Sequence, residues 1–311
     1  MDKLNTAVLT GATGILGTAL IDKLLKEKVD VYVICHPGSP RNKDIRRSDG
    51  VHLIDCDLSE LNKLPQLVPA PIDAFFHFGW LGTANPLNRM NMPLQVKNIL
   101  YTLDAVNAAN ALACKVFIGA GSQAEYGRVN GVIHPDSPAE PISGYGMAKL
   151  CAGQMTRQMC REYGIRHIWP RIISVYGVHE RGHSLISTVI DKLLAGEKPS
   201  LTKGEQVWDY LYAGDAADAF YDMAMSGKNG AVYVLGSGKT KMLRQFMEII
   251  QNAINPSLPL GIGEVPYYPD QAMHLEADIL SLTQDTGWKP KTSFEEGIRW
   301  VIEEKKNAVE R

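Results

Sequence analysis

The sequence is short of several things, and each shortage excludes something. Its five cysteines, Cys35, Cys56, Cys114, Cys151 and Cys160, form no C-x-x-C pair and no regular framework. That excludes a disulfide scaffold and points to a reducing compartment. No stretch approaches the ~20 apolar residues of a membrane span, and no charged N-terminal segment leads into a long apolar run, so a cytoplasmic protein is expected. Net charge is scarce too: 32 Lys and Arg stand against 34 Asp and Glu, giving −2. Nothing overall recruits nucleic acid or an acidic membrane surface, and the basic cluster Arg41 to Arg47 reads as a solvated loop. Internal repeats and low-complexity linkers are missing. What remains is a 311-residue chain, 45% hydrophobic and 21% charged, able to bury a large core as one large or two intimate domains.

Short apolar runs alternate with amphipathic stretches. Thr6 to Leu9, Val29 to Cys35, Val51 to Ile54, Ala74 to Phe78, Lys115 to Ile118 and Ile165 to Ile168 read as strands. Helices are expected after Gly17, around Val96 to Val106, from Tyr145 to about Tyr163, and from about Ser293 to Lys305. Strands that alternate with helices imply parallel crossovers. The expected fold is α/β: a Rossmann-type, doubly wound parallel sheet over residues 1–170, with a smaller C-terminal α/β lobe over 171–311. Later strands at about 205–238 return to the first unit, so the C-terminal lobe is expected to be laced into it.

Gly11, Gly14 and Gly17 sit between the first strand and the first helix. Bare glycines let a backbone approach phosphates, and a helix N-terminus offers free N–H groups and partial positive charge. The pattern therefore predicts a dinucleotide's pyrophosphate at this turn. A carboxylate after the second strand would hold the ribose hydroxyl of NAD. The chain has Cys35-His36 there, with Ser39 and Arg41 close behind, which favours NADP(H) and leaves NAD(H) possible. Asp57, after the third strand, is a candidate partner for the adenine amino group.

Tyr145 and Lys149 stand four residues apart, on one face of a helix. A phenol is a poor acid–base group at neutral pH, and a cation one turn away is expected to bring its pKa down. Ser122 follows the fifth strand at the carboxyl edge of the sheet, where open α/β sheets place their sites. Glycine loop, serine and Y-x-x-x-K in that order predict a proton relay beside a hydride donor.

These residues resemble the extended short-chain dehydrogenase/reductases, the NAD-dependent epimerase/dehydratase group, over nearly the whole chain. Thr10 to Gly17 is similar to the T-G-A-x-G-x-x-G signature, and Gly121 to Gly127 resembles the serine-to-Y-G segment. Arg171 through Gly177 resembles R-x-x-N-x-Y-G, and Asp209-Tyr210 with Asp215 resembles the motif before a later helix. The resemblance implies cofactor contacts from Thr13, Ile15, Leu16, Asp57, Leu58, Phe78, Gly79, Asn98, Lys149 and Ile172. It also implies nucleotide-linked sugars as substrates and a homodimer built on helices at about 94–112 and 146–163.

Departures narrow the chemistry. Gln123 and Ala124 replace the Asp-Glu pair of sugar 4,6-dehydratases, so dehydration is not expected. Trp208 replaces the arginine that grips the substrate's pyrophosphate, and Ser174 replaces the asparagine of R-x-x-N. Both changes either leave the substrate's nucleotide open or move its charge partner to Arg181, His183 or Lys203. Trp80 is expected to shape the substrate side. His179 to His183 spells H-E-x-x-H, but it follows a Tyr-Gly turn and contains Gly182, so a substrate-side loop is expected and no metal site. The first expectation is an NADP(H)-dependent reductase of a nucleotide-linked 4-keto-6-deoxy sugar. The next is a 4-epimerase with retained NAD, and the third a dinucleotide-sensing regulator with a dead site.

Overall fold

The computed structural model describes residues 3–83, 85–180, 184–268 and 271–309. Seven strands build its main sheet: β1 (Thr6–Thr10), β2 (Asp30–Cys35), β3 (Val51–Asp55), β4 (Ala74–His77), β5 (Val116–Gly119), β6 (Arg166–Ile172) and β7 (Ala231–Leu235). All pair in parallel, in the order β7-β6-β5-β4-β1-β2-β3, and a two-residue strand, Gly121–Ser122, adds to β6. The fold class is the α/β, Rossmann-type one that the alternating pattern predicts.

The strands read as continuous apolar runs because both faces of the sheet are covered. Side chains alternate between two cores. Ala7 and Leu9, Val31 and Val33, Ala74 and Phe76, and Val116 and Ile118 enter one. Val8, Ile34, Phe75 and Phe117 enter the other. The first core is closed by α1 (Ile15–Lys26) and the helix Ala213–Ser226, through Leu20, Leu24, Ala216 and Phe220. The other is closed by α2 (Met92–Ala111), through Ala105, Val106 and Ala109. Against α2 packs α3 (Gly144–Tyr163). Val96 and Leu100, which the apolar pattern of α2 includes, are instead 54% exposed.

Residues beyond β6 build a third apolar cluster, with Tyr176, Ile186, Val189, Phe246 and Ile250 around Phe294, Ile298 and Val301 of the last helix, Phe294–Val309. A small sheet ties this region to the front of the main one: Val207–Asp209 lies between Thr240–Met242 and His274–Ala277, which pairs with Gly131–Ile133. Asp209, fully buried, is its clasp. Its carboxylate accepts the N–H groups of Ser237 (2.7 Å), Gly238 (2.9 Å) and Ala277 (3.1 Å), and the Ser237 hydroxyl (2.6 Å). Removing that acceptor strands the buried Ala277 N–H and unties the partly exposed Ser237 and Gly238 from it. Asp209→Ala is expected to lower the urea midpoint by an amount equivalent to about 3 kcal/mol, at unchanged slope.

Candidate active site

The order of the main sheet reverses between β1 and β4, so a crevice opens at their carboxyl ends. There Gly11 takes φ +75°, and a Cβ on it would lie 2.6 Å from the Phe78 carbonyl carbon. Only glycine fits that crossing of two loops. Gly14 caps α1 without any side-chain hydrogen bond, which leaves the first-turn N–H groups free for an anion. This bare cradle fits a dinucleotide's pyrophosphate.

The next turn is fixed by a buried relay. Gly79 N–H donates to Thr10 Oγ1 (3.0 Å), which contacts His77 Nδ1 at 3.0 Å. His77 Nε2 contacts Thr102 Oγ1 at 3.2 Å, and Thr102 donates to the Asn98 carbonyl at 2.8 Å. The pattern assigns a neutral imidazole protonated on Nε2. Burial agrees, pushing the His77 pKa down to about 3. Asn98 brackets Leu81 from α2, accepting its N–H at 2.8 Å and donating to its carbonyl at 3.0 Å.

Ser122 caps a one-turn helix, Gln123–Glu125, as a capping box: Ala124 N–H donates to Ser122 Oγ (3.2 Å), and Ser122 N–H donates to Glu125 Oε1 (2.8 Å). Glu125 is fully buried. Oε1 also accepts Trp169 Nε1 (3.0 Å), and Oε2 takes Arg171 Nε at 2.7 Å. The Arg171 guanidinium stacks on Tyr126, 4.3 Å from the ring centroid. Glu125 is not among the residues predicted from sequence; the S-x-x-E spacing is a local capping-box signal, whereas its buried partners leave no signal in the local pattern.

α3 starts beside this turn, with Ser143 Oγ accepting Gly146 N–H at 3.1 Å. A Cβ on Gly146 would fall 2.2 Å from the Ala124 carbonyl oxygen. That contact seats Tyr145 beside Ser122 in the cleft. Lys149, one turn on, donates to the Ala120 carbonyl at 2.6 Å and lies 3.7 Å from the centre of the Trp80 ring. Trp80 is oriented by Nε1 donating to Gln95 Oε1 (2.9 Å).

The electrostatics differ from the expectation for Tyr145. Its pKa is raised, because burial outweighs the lowering by Ser122 and by Arg89. Lys149 stands 5.9 Å from the phenol ring centre, with the Trp80 face and the Ala120 carbonyl as its near partners. Burial brings its own pKa down to about 7, against a smaller upward pull from Glu125.

One cleft of about 300 Å³ gathers Gly11, Gly14, Ile15, Leu16, Gly17, Phe78, Trp80, Ser122, Tyr145, Lys149 and Ile172. Thr83 and Arg89, which carry no sequence signal, line it too. The other predicted residues lie around it. Thr13 gives its carbonyl to Arg41 Nη2 at 2.8 Å, so Arg41 reaches over the glycine loop. His36 Nε2 lies 3.3 Å from Asp57 Oδ2, and Asp57 Oδ1 caps the following turn through Ser59. Leu58 touches the Gly79 position. Gln123 stands in the capped turn. Ser174 accepts Trp208 Nε1 at 2.9 Å, and Trp208 walls a separate cavity of about 400 Å³ with Tyr210, Leu243 and Arg244. Arg181 and His183 lie outside the described residues. His179 stands on a turn with Nδ1 3.2 Å from Glu304, and no group of three or more potential metal ligands occurs among the described residues.

A parallel sheet with its cleft at the strand reversal, a bare glycine turn and a tyrosine–lysine helix define a dinucleotide-binding enzyme class. Within it, residues 7–236 match the model of the NAD dependent epimerase/dehydratase family, and the chain belongs to that family. It is 25% identical to a putative UDP-glucose 4-epimerase of Methanocaldococcus jannaschii over 96% of this chain and 98% of that one. It is 25% identical to a CDP-abequose synthase of Salmonella muenchen over 97% and 98%. Its fold matches that of a UDP-N-acetylglucosamine 4-epimerase from Methanobrevibacter ruminantium M1, with a TM-score of 0.87 and 24% identity, over 99% and 100% of the two chains. No helix among the described residues is long and apolar enough to cross a membrane.

Replacing Glu125 by Gln would leave the Arg171 charge buried and unpaired. Glu125→Gln is expected to cost about 3 kcal/mol in chemical denaturation. The double variant Glu125→Gln/Arg171→Met should recover about half of that, which a thermodynamic cycle reads directly.

Proposed function

We propose that the chain is a nucleotide-sugar 4-epimerase that keeps its dinucleotide through each turnover. The observation that carries this reading is the cleft itself: Ser122, Tyr145 and Lys149 meet there with the glycine turn, and among the described residues no carboxylate lines it. A dehydratase needs a further acid and base beside the serine, and Gln123 and Ala124 supply neither. The similarity to a putative UDP-glucose 4-epimerase supports the same choice over the reductase expectation.

In this reading Gly11, Gly14 and the first turn of α1 hold the pyrophosphate, and Ile15, Leu16, Phe78 and Ile172 line the cofactor's path. When bound, the nicotinamide exchanges hydride with the sugar carbon. Ser122 holds the sugar oxygen, Tyr145 takes its proton and returns it, and Lys149, held on the Ala120 carbonyl, contributes a positive charge nearby. Trp80 and the Ser174–Trp208 pair bound the substrate. Residues 1–170, with the returning strand β7, carry the cofactor, and 171–311 the rest of the substrate. Five free thiols, four of them buried, support a cytoplasmic setting.

A second reading, the NADP(H)-dependent 4-keto sugar reductase, is favoured by Arg41 over the glycine loop and the lack of a carboxylate directly after β2. His36 adds less to it than its position suggests, since Asp57 holds it. Denaturing fresh protein and identifying the released dinucleotide separates the two. Bound NAD, with C4 inversion lowered at least ~100-fold in Tyr145→Phe, is the expected result. An emptied site that prefers NADPH would replace epimerase by reductase.

The homodimer is likewise a proposal. Val96, Leu100, Met147 and Met155 leave exposed apolar side chains on α2 and α3, which pack side by side. Light scattering is expected to give a dimer, and Leu100→Asp a monomer; a monomeric wild type would end this assignment.

A further inference from the structure

Arg89 closes one side of the cleft, on a short turn, Pro86–Met90, ahead of α2. The turn is anchored. Gln95, 2% exposed, donates to the Asn88 carbonyl at 2.8 Å while its Oε1 accepts Trp80 Nε1. The Arg89 guanidinium carbon lies 4.9 Å from the centre of the Tyr145 ring. Stacking engages the face of a guanidinium and leaves its planar fork of N–H groups free at the edge. The other cation of the cleft, Lys149, is committed to the Ala120 carbonyl and the Trp80 face. Among the described residues Arg89 makes no ion pair, so it stands as a preoriented anion receptor beside the proton-transfer residue.

We infer that Arg89 binds a carboxylate on the sugar, next to the reacting carbon, so that the substrate is an acidic nucleotide sugar. The inference rests on the C4 chemistry proposed above. The phosphates of a nucleotide sugar leave from C1, across the ring from C4. A uronic carboxylate hangs from C5, the neighbour of C4. C3, the other neighbour of C4, carries an uncharged substituent, so the charge of a cation over Tyr145 is matched at C5, where the planar fork of arginine fits a carboxylate in two parallel hydrogen bonds. The same charge lowers the Tyr145 pKa, so a role in tuning that phenol has to be separated from a role in binding.

The test uses the dinucleotide-loaded protein. UDP, dTDP, CDP and GDP are titrated first, and the diphosphate bound best fixes the nucleotide of two probes, its uronic acid sugar and its neutral hexose. Wild type, Arg89→Gln and Arg89→Lys are then titrated by calorimetry and assayed across pH. Wild type is expected to prefer the uronate, Arg89→Gln to lose about tenfold or more on the uronate alone, and Arg89→Lys to lose less. Equal losses on both sugars with a shifted pH profile would make Arg89 a tuner of Tyr145 and overturn the inference. A loss that already appears with the bare diphosphate would assign Arg89 to the phosphates and overturn it as well, as would no loss at all. If wild type binds no diphosphate and converts neither sugar, the epimerase reading itself falls, before any variant is compared.

Discussion

The active-site loop hangs on one buried charge. Glu125 holds the N–H of Ser122 with one oxygen and the Arg171 guanidinium with the other, and Trp169 closes the set. A buried ion pair is seldom a net gain in stability, since desolvation of both groups offsets their attraction. What this pair provides is position. It joins the end of β5, the capped turn and the end of β6, adding a side-chain tie where, among the described residues, the turn pairs with β6 only through the two-residue strand Gly121–Ser122. Gly146 then lets α3 close on the same turn, which brings Tyr145 beside Ser122.

The same charge bears on the lysine. Lys149 is almost fully enclosed, and its pKa falls from 10.5 to about 7 because burial disfavours the ammonium. Glu125 opposes that fall, so the lysine retains a proton near neutrality. The unfolded chain binds this proton up to about pH 10.5, while the folded one releases it near 7. Folding therefore bears the full penalty below pH 7 and is relieved of it as pH rises through that window. Stability is given up to hold a titrating ammonium next to a phenol, a common trade at catalytic sites.

How much of this could be read from the sequence depended on how local the signal was. Six of the seven sheet strands were legible as separate apolar runs and the seventh as a later strand returning to the sheet, and the cradle and the Y-x-x-x-K face follow from spacing alone. The partners of Glu125 were not legible, because Arg171 lies 46 residues away and nothing in the local pattern pairs them. His36 read as part of an NADP(H)-favouring stretch until the fold brought Asp57 to it. Arg89 carried no motif, and only the anchoring of its turn by Gln95 brings it to Tyr145. The lowered pKa expected for Tyr145 failed for a related reason: helical spacing places Lys149 on the right face, but the ammonium turns to a carbonyl and an indole.

Trp208 and Ser174 show most clearly what tertiary structure adds. Along the chain they are two separate departures from the family pattern, each of which removes a polar grip on the substrate. In space they are one hydrogen-bonded pair, Trp208 Nε1 to Ser174 Oγ, between the cleft that Ile173 and Val175 line and the cavity walled by Tyr210 and Leu243. An asparagine at 174 would have a bulkier head where the indole N–H now docks, and an arginine at 208 would have no flat apolar face for the cavity. The two replacements suit each other. Together they set an aromatic, hydrogen-bonded wall between cleft and cavity, and in the epimerase reading proposed above recognition of the distant end of the substrate rests there on shape more than on charge.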